Sequence, residues 1–253
     1  MAKKMPFSLT TPKSAIVKKS KLIVACHQPN YLPWLGYFHK LRLADVFVVL
    51  DVVQFPRGAS WVNRNRIKTP NGQLWLTVPV RKKGLGLQHI YEVEIDNTQG
   101  WKRKHFLALA HSYKRTPYFY DYVGYFEEIY KNEWTKLLDL NLELLNKIVE
   151  WLEIGTKIIC SQELFKETKE TIPTGSDLII QICKSLGAET YLSGAGGKKY
   201  MDIEKFKAQG IKVEYDSLTL KAYPQLWGDF IPNLSIIDLL FNCGKKGVER
   251  IFT

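Results

Sequence analysis

The sequence predicts an α/β protein: an open, mostly parallel sheet flanked by helices, with a helical segment in its middle. Three observations predict it. Residues 22–26 (LIVAC), 34–43 (WLGYFHKLRL) and 46–50 (VFVVL) read as strand, helix and strand, and both strands are wholly apolar. A strand without polar alternation belongs to a sheet covered on both faces, as parallel sheets are. The same alternation of strands and helices returns from 176 to 215, whereas 101–152 is almost wholly helical in pattern.

The elements follow in order. Residues 1–21 hold six lysines and no acid, about half of the formal net charge of +11. Lacking apolar periodicity, 1–20 is expected to be a mobile basic tail, and 21–253 a single α/β domain with a helical insertion at about 101–152. The first strand stops before Pro29, which has no N–H for a ladder. In the helix 34–43, Leu35, Phe38 and Leu41 recur at helical spacing. Asn71-Gly72 is a hairpin signal between 66–68 and 73–80, and 90–95 resumes a strand-like alternation. A helix is predicted over 101–113, then an aromatic-rich stretch at 118–130. The helix predicted over 134–152 carries a wide apolar stripe, which implies deep packing. A strand at 158–161 precedes an amphipathic helix at 176–186, which Gly187 stops. Strands at 190–193 and 211–215 bracket a glycine-rich loop and a short helix at 203–207. Recurring strand–helix–strand units make the sheet Rossmann-like.

Composition excludes several classes. Hydrophobic residues make up 45% and charged residues 24%, as in soluble globular chains. No apolar run approaches the ~20 residues of a membrane span, and no signal peptide is evident. Four scattered cysteines without a CxxC give no zinc or redox motif and fit a reducing cytoplasm. No metal is expected, and the sequence specifies no cofactor.

Ligands of open parallel sheets bind beyond the carboxyl ends of the strands. His27, Gln28 and Asn30 stand after the first strand, and Asp51 and Gln54 after the second. In Asn63-Arg64-Asn65-Arg66 a strand would place both arginines on one face. Paired guanidiniums suit a phosphate or carboxylate; an exposed edge strand is the plainer alternative. Asp51 and Gln54 are near enough in sequence to partner them. Ser193-Gly194-Ala195-Gly196-Gly197-Lys198 follows a strand, and its glycines would let amides approach an anion, although the spacing is not that of a Walker loop. Trp34, Tyr37, Tyr118, Tyr120 and Trp227 offer stacking rings or core. If the strands at 22–26 and 190–193 are both central, His27 and Ser193-Gly194 face one crevice.

HQPNYLPWLGYFHKLRLADVFVVLDVVQF resembles the opening signature of the WbqC-like family. The likeness continues through WVNRNRIK, WLTVPV, KRTPYF, YLSGAGGKKYMD and PNLSIIDLLFNCG, in collinear order from about 21 to 244. The resemblance implies a cytoplasmic enzyme of surface-polysaccharide or glycoconjugate biosynthesis, transferring an acyl or aminoacyl (glycine) group to an amino sugar. Its partner would be a small sugar or nucleotide-sugar; nucleic acid is not expected. Read with it, His27 is an acid/base, Asp51 its orienter and Arg64 and Arg66 anion clamps. Ser193, Gly194 and Gly196 form a backbone cradle beside Lys198, and Gln28, Asn30 and Tyr37 are further contacts. The layout is also similar to nucleotidyltransferases of the HIGH-signature class, with Gly36-Tyr37 in place of their Gly-His pair. The second histidine is absent and His39 is out of step, which weakens that reading. A nucleotidyltransferase or adenylate-forming ligase, or a basic nucleic-acid-binding protein, is the alternative.

Overall fold

The computed structural model describes residues 21–167, 171–199 and 201–252. The basic segment 1–20 lies outside them. Five strands form one parallel sheet: β1 (Ile23–His27), β2 (Val46–Val49), β5 (Lys157–Cys160), β6 (Thr190–Ser193) and β7 (Lys212–Tyr215), in the order β5-β2-β1-β6-β7. The sheet is the Rossmann-like arrangement read from the apolar runs. β1 is its middle strand. The chain winds outward from β1 to β2 and β5, then crosses to β6 and β7. The direction of winding therefore reverses between β1 and β6, where such sheets open a crevice.

Alternate residues of each strand face opposite layers. Ala25, Phe47, Val49 and Leu192 join one core cluster with Tyr37, Phe38 and Leu41 of α1 (Leu35–Arg42). That cluster also takes in α2 (Trp101–Tyr113), α3 (Phe119–Lys131), α4 (Leu137–Trp151) and the C-terminal α8 (Ile236–Phe252). Val24, Cys26, Val46, Val48 and Tyr191 face the other way. They pack with Phe165 of α5 (Ser161–Phe165), Leu178 and Ile182 of α6 (Gly175–Leu186) and Phe206 of α7 (Ile203–Ala208). Both faces are covered, which is why the strands read as unbroken apolar runs.

Between β2 and β5 the chain makes an antiparallel hairpin, β3 (Arg64–Thr69) and β4 (Gly72–Thr77), and then α2, α3 and α4. The predicted stripe of α4 is its core side: Leu137, Leu138, Leu140, Leu144, Leu145 and Ile148 are buried.

Two elements differ from the sequence reading. Residues 90–95 are not a strand. Ile90–Glu92 forms a 3-10 turn, and the Glu92 carboxylate accepts from His89 N–H. Ile90 and Tyr91 donate their N–H groups to Val53 and Asp51 carbonyls. Local capping and loop contacts thus take the groups a ladder needs. The second difference is α8, which its glycines conceal. At Gly244 the backbone is left-handed (φ 64°), and a Cβ there would come within 2.8 Å of the Tyr118 ring. Only glycine meets both conditions.

Candidate functional site

A cavity of about 680 Å³ opens at the reversal of winding, beyond the carboxyl ends of β1 and β6. That volume lies in the range of small-ligand sites. Its β1 wall is Cys26, His27 and Gln28; its β6 wall is Ser193 and the turn 194–197. α1 contributes Gly36, Tyr37 and Lys40, and the first turn of α6 contributes Gly175, Ser176, Leu178 and Ile179. Asp216, Leu218, Leu220 and Asn233, from the irregular segment after β7, close another side.

Because β1 and β6 are paired neighbours, with Ala25 beside Leu192, their following residues meet. His27 and Ser193-Gly194 consequently share the cavity. His27 is half-buried. Its Nδ1 lies 3.1 Å from Gln28 O, and its ring is 4.8 Å from Tyr37 and 5.6 Å from Trp34. Burial first, and then the charge of Lys40, lowers its pKa to about 3. The imidazole is therefore neutral at physiological pH. Tyr37 is buried beside it and donates its hydroxyl to Gln28 O over 3.4 Å.

Lys40 is the residue that the sequence reading missed. It lies on the buried face of α1, three residues after Tyr37, and is 4% exposed. Its Nζ donates to Cys26 O at 2.9 Å. Burial lowers its pKa to about 8, against the opposing influence of Cys26 and Asp216. The amine therefore titrates near neutral pH inside the cavity. The available signal was its position: helical spacing puts 37, 40 and 41 on the face that Tyr37 and Leu41 bury.

Ser193 is buried and its hydroxyl donates to Gly194 O at 3.1 Å. Ala195–Lys199 is a 3-10 turn, and Gly197 N–H donates to Gly194 O. The glycine that packing demands here is Gly197, where a Cβ would fall 2.1 Å from Ser193 Oγ. At Gly196 a Cβ would meet nothing within 4 Å.

Six sequence candidates do not line this cavity: Asn30, Asp51, Gln54, Arg64, Arg66 and Lys198. Asp51 is buried at the end of β2, where it accepts from Ser161 Oγ (2.6 Å) and Gln162 N–H (2.9 Å) and so fastens the start of α5. It is bonded there rather than to the arginines; Gln54 is exposed and bridges to His89. Asn30 is buried, and its Oδ1 has no partner among the described residues. Lys198 is exposed, with Nζ 5.0 Å from the Tyr215 ring centre. Arg64 and Arg66 do share a face, but on the hairpin, where both guanidiniums lie against the Trp75 ring.

Among the described residues no group of three or more His, Cys, Asp or Glu is arranged to hold a metal ion, and no helix is long and apolar enough to cross a membrane. The four cysteines are free thiols.

Comparison with known proteins supplies the relatives. Residues 28–250 match the WbqC-like protein family. The uncharacterized protein Rv1507c of Mycobacterium tuberculosis is 38% identical over 232 residues, covering 90% of this chain and 96% of that protein. No solved structure matches the chain.

Proposed function

The chain belongs to the WbqC-like protein family, and from that premise we propose that it is a transferase acting on a sugar nucleotide. It would move an acyl or aminoacyl group, such as glycine, onto the amine of an amino sugar during surface-polysaccharide or glycoconjugate assembly. The reading places the reaction in the cytoplasm.

The observation that carries the proposal is the convergence of three features on one switch-point cavity. These are a buried lysine whose pKa burial lowers to about 8, a neutral histidine and a glycine turn. In the proposed reaction the sugar amine attacks the acyl carbonyl carbon of an activated donor. The new C–N bond forms, the carbonyl π electrons move onto oxygen, and the bond to the leaving group then breaks. The amine must lose a proton. Lys40, with a pKa of about 8, is the better-matched acceptor, because acid/base groups work best near the operating pH. His27 is too weakly basic to hold that proton and is assigned to orient the amine by hydrogen bonding. Amides of Gly194 and Gly196 would face the transient oxyanion or the sugar's phosphates, backed by Ser193. Gln28 and Tyr37 shape the wall between them.

The test is a mass-shift assay. The protein is incubated with nucleoside diphosphate-linked amino sugars and with thioester or aminoacyl-adenylate donors. The expected product is the sugar nucleotide heavier by one acyl group. No product across the panel, with no sugar nucleotide bound in calorimetry, overturns the proposal. ATP–pyrophosphate exchange without acceptor would instead favour an adenylate-forming ligase.

A further inference from the structure

The hairpin face outside the cavity carries groups that the cavity does not use. Arg66 lies directly across from Trp75, and Arg64 across from Thr77, so both arginines and Trp75 share one face. The Arg64 guanidinium is 4.3 Å from the Trp75 ring centre, and that of Arg66 is 5.8 Å from the rings of both Trp61 and Trp75. The rings continue inward. Trp75 is 5.2 Å from Trp61, Trp61 is 5.7 Å from Trp34, and Trp34 is 5.6 Å from His27 in the cavity wall.

Trp61 and Trp75 are 38% and 40% exposed, high for a side chain that is usually well buried. The indoles of Trp101, Trp134 and Trp227 donate to Asn97, Ile129 and Ser112. Those of Trp34, Trp61 and Trp75, like that of the core residue Trp151, donate to no partner among the described residues. Arg66 gives Nη1 to Gln73, yet its buried Nε has no partner among the described residues either.

We infer that this ramp of tryptophans and arginines, outside the Trp34 wall of the cavity, is a subsite for an acidic oligosaccharide; the inference rests on the reading of the protein as one of polysaccharide or glycoconjugate assembly. Indole faces accept the C–H faces of pyranose rings. The successive rings are tilted by 53° and 50°, which suits a chain that turns from one sugar to the next. Guanidinium forks match carboxylates in geometry and charge. Two arginines side by side on one strand repel, and a carboxylate between them removes that cost. Single-stranded nucleic acid also stacks on aromatic rings, but it needs cations tracking its backbone. Arg64 and Arg66, two residues apart on one strand, make one anion site rather than a track of cations.

The test is calorimetry on the full chain with three probes. They are a pentasaccharide alternating glucuronic acid and N-acetylglucosamine, the neutral pentamer of N-acetylglucosamine, and pentathymidylate. The acidic saccharide should bind tightest. Trp75→Ala should weaken it about tenfold, a loss of roughly 1.4 kcal/mol, while Trp75→Phe retains most of the binding. Arg64→Ala should bring the acidic saccharide down to the affinity of the neutral one. Melting curves of these variants should match the parent. Absence of saccharide binding, equal affinity in Trp75→Ala, or tighter binding of pentathymidylate overturns the subsite. Acyl transfer without saccharide binding brings down the ramp alone. Saccharide binding without any transfer or sugar-nucleotide binding brings down the cavity reading alone.

Discussion

Two lysines are buried among the described residues, and their surroundings differ. Lys68, on β3, is 1% exposed and donates to three acceptors: Gln225 Oε1, Gly228 O and Asp229 O. Asp238 lies in the same polar cluster, receiving hydroxyls from Tyr113 and Tyr223 and the amide of Gln225. Lys40 is 4% exposed and donates to a single carbonyl, Cys26 O, at the edge of an open cavity. A buried ammonium is stable only when its desolvation is offset by partners. Lys68 has its full set of three and ties a loop to the hairpin. Lys40 lacks such a set, so its ammonium is destabilised and its pKa falls to about 8 at the cavity wall. The first lysine serves the fold, and the second is the one we propose for chemistry.

The largest expected effect lies on the satisfied side of this comparison. Lys68→Met takes the ammonium donor from Gly228 O and Asp229 O, leaves Gln225 Oε1 with only the Ile231 N–H, and removes the cation that acts on Asp238; it should cost about 3–5 kcal/mol in urea unfolding. Lys40→Met should change stability by less than about 1 kcal/mol, or raise it, because a poorly paired buried charge is replaced by an apolar chain. Equal losses in the two variants would erase the distinction. Leu145→Ala, on the buried face of α4, where Leu145 is 1% exposed, should cost ~2–5 kcal/mol. A loss below about 1 kcal/mol would mean that the helix packs loosely.

Legibility in the sequence divides along the same line. The β1–α1–β2 unit, the hairpin and α4 were readable because burial on two faces, or on one stripe, writes itself into apolar spacing. The meeting of His27 with Ser193 was also readable, because neighbouring parallel strands deliver their following loops to one edge. Lys40 was not, because a lysine between His39 and Leu41 reads as a solvated position until the helix is docked. Asp51 shows the converse. A strand-end carboxylate looks the same whether it meets a ligand or Ser161, and Ser161 stands 110 residues away. Arg64 and Arg66 were correctly paired on one face, but long-range packing decides which surface that face joins.

Smaller effects sharpen the comparison inside the cavity. Gly197→Ala forces a Cβ onto Ser193 Oγ and should cost about 1–3 kcal/mol, whereas Gly196→Ala should leave melting unchanged. Equal melting of both would show that the turn is looser than its contacts imply. The pH dependence is subtler. Lys40 has a folded pKa of about 8 against an ordinary 10.5. Between those values the unfolded chain holds a proton that the folded chain has released. Stability should therefore rise with pH across that window, by up to about 1.4 kcal/mol per unit, and Lys40→Met should lack this component. His27, at about 3 against 6.5, has the same sign at lower pH. Stability should fall as pH drops from 6.5 toward 3, and His27→Gln should flatten that slope. Unaltered slopes in both variants would mean that neither group is held in its neutral form.

The central claim is that the cavity between β1 and β6, with Lys40 at its wall, is the reaction site. A crystal structure with a nucleoside diphosphate-linked amino sugar soaked in tests it most directly. The account predicts the sugar amine within hydrogen-bond distance of Lys40 Nζ and His27, with the phosphates against the 194–197 turn. A sugar nucleotide bound elsewhere on the molecule, with this cavity empty, would contradict it.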